Sequence, residues 1–273
     1  MARRRTAHWK FLLWIVSVLA VSVVATWLID TYLPSMTSRF GRLRIFRRVA
    51  SIAGVAGVFL LQKHIERQPL SALGFGPWRQ GLGDLWLGVR LGVLTLAALM
   101  MVLWWCGVWH IALNPDHQKL WRALGSCVPS ALLVGCMEEL VFRGYLLRTL
   151  LREYSVNASV GLTSAVYALA HLAKPIALWP SMWTDLVGLW LFGAILAYAV
   201  LRTQALYLSI GLHASLVYLV KIQKHLIEFD PGAFRWLFGN QRLLTGVLGW
   251  VALGALGWYV HRTTQHRALP HGR

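Results

Sequence analysis

The chain has 273 residues, 57% of them hydrophobic and 14% charged, with 15 Trp and a mean hydropathy of +0.55. Soluble domains carry roughly 25% charged side chains, so there is too little polar surface here to coat a soluble fold. The 27 Lys and Arg against 10 Asp and Glu give a formal charge of +17. These bases sit between long apolar runs, which points to anionic lipid headgroups rather than nucleic acid.

A bilayer core takes about 20 residues of apolar helix. The first candidate, Phe11–Ile29, follows Arg3, Arg4, Arg5 and Lys10. It is too long for the apolar region of a secretory signal and no small-residue cleavage site follows, so it reads as a retained anchor helix. Arg39, Arg42, Arg44, Arg47 and Arg48 then read as a headgroup-bound connector. Val49–Leu61 is short for a full span, with tilting, bilayer thinning or re-entry as the ways to fit it. Ser71–Trp78, broken by Gly and Pro, reads as interfacial.

Further spans are expected near Leu85–Ile111, Ser126–Leu147, Ala158–Leu172, Leu186–Leu201, Leu206–Val220 and Leu243–Val260. The sum is an all-α, polytopic membrane protein of about eight transmembrane helices joined by short loops. It forms one membrane domain over 1–273, with anchor helices over 11–61. Pro115, Pro175, Pro180 and Pro231 fall in the expected loops, where a missing N–H costs little. The Lys and Arg balance between the two sides is too even to fix the orientation. The expected location is the cell membrane. Cys106, Cys127 and Cys136 all lie in apolar stretches, and no C-x-x-C pair offers a metal or redox site.

Ionisable groups at membrane depth are costly and therefore informative. Of the acidic residues, only Glu138 and Glu139 lie inside an apolar run, while His171 and His213 are embedded in two others. On a helix Glu139 and Arg143 share a face, with Glu on the N-terminal side, the favourable order. Glu138 is turned about 100° away and is free to face a cavity, where a carboxylate in a low dielectric suits general-base work. Tyr167 and His171 share a face, as do Ser209 and His213. A single Glu–Arg pair or buried His is usually structural. Two Glu and two His on three separate spans instead suit one water-filled pocket.

These residues carry a resemblance. Glu138-Glu139-Leu140-Val141-Phe142-Arg143 fits an E-E-x-x-x-R motif, Tyr167 to His171 fits aromatic-x-x-x-His, and His213 opens a third motif, H-x-x-x-N. Together, in this order, they resemble the CPBP intramembrane glutamic endopeptidases, which include the CAAX prenyl endopeptidases of the Rce1 type and bacteriocin-processing or immunity proteins. The similarity extends over about 126–220, and Leu73-Gly74-Phe75 is similar to a short element often found upstream.

The resemblance implies a metal-free, cofactor-free membrane hydrolase that cuts a membrane-associated peptide or protein. Glu138 would activate water with help from His171, and His213 would stabilise the oxyanion. Glu139, Arg143 and Tyr167 would support them. The third motif usually ends in Asn, but this chain has Val217 there, and losing one oxyanion donor costs about 100- to 1000-fold in rate. Ser209 is one candidate substitute; Tyr167 and Tyr218 are others. The alternative is a catalytically inactive relative acting as a membrane scaffold or immunity protein. A metalloprotease is disfavoured because no H-E-x-x-H is present. A transporter is disfavoured because no pair of spans forms a Gly/Pro-broken inverted repeat.

Overall fold

The computed structural model describes residues 6–171, 182–239 and 244–266. In chain order these form α1 (Thr6–Tyr32), α2 (Pro34–Phe40), α3 (Arg42–Leu60), α4 (Trp78–Trp105), β1 (Trp109–Ile111) and α5 (His117–Glu139). There follow α6 (Arg148–Leu150), α7 (Val156–Ala170), α8 (Trp183–Thr203), α9 (Tyr207–Gln223), β2 (Ile227–Phe229), α10 (Arg235–Phe238) and α11 (Gly246–Thr264). Two wider π turns join this set: Leu61–Ile65 prolongs α3, and Leu140–Leu147 links α5 to α6. The fold is all-α, as expected of a polytopic membrane protein, with one small antiparallel strand pair.

Eight helices among the described residues reach fifteen residues or more, at the places where eight apolar runs were expected. Five are long and apolar enough to cross a membrane: Leu12–Tyr32, Arg42–Ile65, Gly81–Trp105, His117–Leu150 and Trp183–Thr203. Of the shorter helices, α9 is buried along most of its length, while α7 packs one face on α8 and leaves Leu162 and Leu169 exposed.

Three expectations near the N-terminus and the middle are corrected. Val49–Leu61 is not short for a span, because its helix starts at Arg42 and runs through the π turn to Ile65, 24 residues in all. Arg42, Arg44, Arg47 and Arg48 therefore belong to the first turns of α3 rather than to a connector. Arginine is a good helix former, and its long stem keeps the charge at the membrane edge while the backbone stays helical. The third span does not reach Ile111. Its helix ends at Trp105, and Trp109–Ile111 pairs with Ile227–Phe229 as β1 against β2.

Local chemistry sets several boundaries. Asp116 caps α5 by accepting the Lys119 backbone N–H at 3.0 Å, and Ser155 caps α7. Pro129 lies inside α5 rather than in a loop, where its ring removes one helical hydrogen bond. Of the expected loop prolines, Pro175 and Pro180 lie outside the described residues, as does the expected start of the last span at Leu243.

The centre of the bundle is α9. It runs alongside α4 with small residues in the seam: Gly88 and Gly92 on α4, Gly211 and Ser215 on α9. A Cβ at Gly88 would overlap the Leu208 carbonyl oxygen, and one at Gly211 would overlap that of Leu85. Such small-x-x-x-small pairs let membrane helices approach to backbone contact. On the other side of α9, Gly135 of α5 faces Ala214, where an added Cβ would meet the Ala214 backbone nitrogen at 3.2 Å. His213 is thus held by close backbone packing on two sides. The main apolar core lies around it, formed by Leu208, Leu212 and Leu216 of α9 with Leu91, Leu96, Phe192, Leu196 and Leu253.

Candidate active site

The end of α5 and the π turn that follows deliver two carboxylates and a guanidinium to the bundle interior. Glu139 and Arg143 are both 0% exposed, and Arg143 Nη1 donates to Glu139 Oε1 at 2.8 Å. Arg143 Nη2 donates to the Gly193 carbonyl of α8 at 3.0 Å, and the guanidinium lies 4.6 Å over the Tyr167 ring. A Cβ at Gly193 would crowd Ser164 of α7 at 3.1 Å, so α7 and α8 pack closely where Arg143 reaches them. The Glu139–Arg143 pair was expected from α-helical spacing, but Arg143 sits in a π turn. Single π turns inside helices occur frequently at functional sites.

His213 joins the two glutamates. Its Nδ1 lies 2.8 Å from Glu139 Oε1, and its Nε2 lies 3.6 Å from Glu138 Oε2. A buried carboxylate is an acceptor, so Glu139 fixes Nδ1 as the donor and turns Nε2 toward Glu138. Adjacent positions on α5 thus take different surroundings. Glu139 is sealed between Arg143 and His213, while the Glu138 side chain is 28% exposed. Glu138 Oε2 is itself buried and accepts no hydrogen bond among the described residues.

His171 follows the last residue of α7, and its Nδ1 lies 2.9 Å from the Tyr167 carbonyl oxygen. The carbonyl can only accept, so Nδ1 donates and Nε2 is the unprotonated nitrogen of the neutral ring. Tyr167 connects the two histidines, with ring centroids 4.8 Å from His171 and 6.0 Å from His213. Glu138, Glu139, Arg143, Tyr167, His171 and His213 are therefore gathered at one place. Ser209 is also close, but it is fully buried and its hydroxyl donates to the Leu206 carbonyl at 2.9 Å. Tyr218 donates to the Leu124 carbonyl at 3.3 Å. Val217, half-buried, lies one turn beyond His213 on α9.

Two residues that the sequence pattern did not single out complete the aromatic surround. Phe142 stands edge-on to Tyr167 at 5.2 Å, and Phe192 edge-on to His213 at 5.6 Å. Phe142 lies within the E-E-x-x-x-R motif, a signal that was there to be read; Phe192 carries none. Among the described residues, no group of three or more His, Cys, Asp or Glu side chains is arranged to hold a metal ion.

What this arrangement can do follows from its parts. A partly open carboxylate beside an imidazole nitrogen can take a proton from water. A second imidazole, held by its own carboxylate, can face a developing oxyanion. No curated protein and no solved structure matches the chain. Residues 120–219, which contain every one of these side chains, match the family of type II CAAX prenyl endopeptidase Rce1-like proteins.

Proposed function

We propose that this protein is an intramembrane endopeptidase that hydrolyses a peptide bond in a membrane-associated, CAAX-type peptide or protein, with Glu138 activating the attacking water. The observation that carries the reading is the chain Glu138–His213–Glu139–Arg143, which crosses from α5 to α9 inside the family-matched segment. Glu138 takes a proton from water as the water oxygen bonds to the carbonyl carbon. His171, with Nε2 unprotonated, assists that transfer from the end of α7. His213, its Nδ1–H held by Glu139, donates from Nε2 in its doubly protonated form to the oxygen on which negative charge develops. As the C–N bond breaks, Glu138 returns its proton to the leaving amine. The protein acts as an integral, multi-pass protein of the cell membrane, whose anionic headgroups answer its basic helix ends.

Glu138→Gln keeps size and polarity but removes the base. Purified protein given a prenylated CAAX-type peptide should lose at least about 100-fold in cleavage rate, with an unchanged melting temperature. Cleavage at the wild-type rate sinks the reading. One observation favours a second reading, an inactive relative that serves as a membrane scaffold or immunity protein: Val217, where the family's third motif usually places Asn, has no donor to offer. On that reading Glu138→Ala and His171→Ala restore the phenotype of a gene deletion as well as wild type does.

A further inference from the structure

Helices α5 and α9 run antiparallel, and two polar cross-ties join them. One is Glu138 to His213. The other is Lys221 Nζ donating to Ser130 Oγ at 2.6 Å. Ser130 precedes Glu138 by eight residues and Lys221 follows His213 by eight, so both ties lie on the same facing stripes, about 12 Å apart along the helices. Midway between them the same-face positions are Val134 on α5 and Val217 on α9. Ser130, Val134, Glu138, Val217 and Lys221 are all half-buried, which leaves this strip reachable.

From these positions we infer that Lys221, steadied by Ser130, is the anchor for the C-terminal carboxylate of a peptide lying along the α5–α9 strip with its scissile bond at Glu138. The inference rests on the endopeptidase reading above and adds to it a substrate-end subsite.

Three features support it. Extended peptide advances about 3.3 Å per residue, so a strip of about 12 Å takes between three and four residues from the scissile carbonyl to the terminus. The intervening side chains would lie on the apolar Val134 and Val217. Charge gives the strip a direction: Arg48 and Lys224 lie within electrostatic reach of Lys221 and add to its positive field, while Glu138, also within reach of Lys221, holds the negative end. A terminal carboxylate is drawn to the Lys221 end and repelled from the Glu138 end. A lysine that served only to tie α5 to α9 would be indifferent to the terminus of the peptide.

The test is binding of one fluorescent, prenylated CAAX-type peptide, as free acid and as C-terminal amide, to the full-length protein carrying Glu138→Gln. The acid should bind at least about 10-fold more tightly than the amide, as expected for a charge-assisted hydrogen bond. Adding Lys221→Met should bring acid binding down to the amide level and leave amide binding unchanged. Should the Met variant not fold, Lys221→Gln gives the same readout, and Lys221→Arg should keep the acid preference. Equal binding of acid and amide, binding of neither, or an equal loss of both in the Lys221 variants overturns the inference. Turnover of both peptides by wild-type protein is measured alongside. An acid preference without turnover sinks the endopeptidase reading and leaves the subsite standing.

Discussion

At the scale of single residues, the site depends on one buried guanidinium. Arg143 touches Glu139, the Gly193 carbonyl and the face of Tyr167, so it balances a carboxylate and joins α8 to α5. Removing one partner of a buried ion pair leaves the other charge uncompensated, at a cost of about 3–5 kcal/mol. Arg143→Met should therefore lower the thermal stability of the detergent-solubilised protein by an amount of that order. Glu139→Gln with Arg143→Met should recover part of the loss, because no lone charge remains. A single variant as stable as wild type would show that Arg143 is not a structural charge. Glu138 needs no such partner, because its side chain keeps contact with the open strip. Identical side chains at adjacent positions thus serve as a structural group and a chemical one.

At the scale of helices, the glycine seam between α4 and α9 determines where His213 stands. Gly211→Val would drive a branched side chain into the Leu85 carbonyl. Overpacking of this kind costs about 1–3 kcal/mol and can cost more. The variant should melt earlier and lose cleavage together with stability. Gly254→Ala on α11 is the control, since nothing lies near an added Cβ there and alanine is the better helix former by roughly 0.5–1 kcal/mol. It should be neutral or stabilising. The same scale shows what the sequence could and could not reveal. The motif residues stood out because charge is so sparse that two embedded glutamates have no bland company. The eight apolar runs likewise located eight helices. The start of α3 was hidden because five arginines resemble a loop in composition while arginine remains a good helix former. The π turn at Leu140–Leu147 and the antiparallel register of α5 on α9 depend on which neighbour fills each gap. Periodicity along one strand of sequence does not contain that information.

At the scale of the whole molecule, one end of the bundle is fastened by a carboxylate shared among three elements. Glu66, just past the π turn of α3, pairs with Lys10 of α1 at 3.2 Å and with Arg152, just past α6, at 2.8 Å. Burial alone would push its carboxyl up, but the hydrogen bonds from Arg152 and Lys10 outweigh it and hold the group below the usual carboxylate range. A depressed native value means that the unfolded chain binds the proton more readily. The stabilisation is therefore full above the usual carboxylate range and fades as pH falls through the lower native value. Arg152 is largely exposed, so the effect is at most about 1 kcal/mol. Melting curves of wild type and Glu66→Gln should differ at neutral pH and converge below about pH 4. A gap that widens in acid would contradict the assignment.

The small strand pair has a wider consequence. Ile111 pairs with Ile227, and just inside that rung the Ala112 N–H donates to the Leu226 carbonyl at 2.9 Å. All the residues gathered around Glu138 lie between these two strands in sequence, as does the whole of the family-matched segment 120–219. That segment is therefore a lasso of chain, knotted shut by main-chain hydrogen bonds at a single throat. Its two ends leave side by side, about 5 Å apart. Helices spliced on ahead of α4 or behind β2 extend the protein outside the throat. The contacts that tie Glu138 to His213 lie within it, and α4 presses on them from outside across the glycine seam.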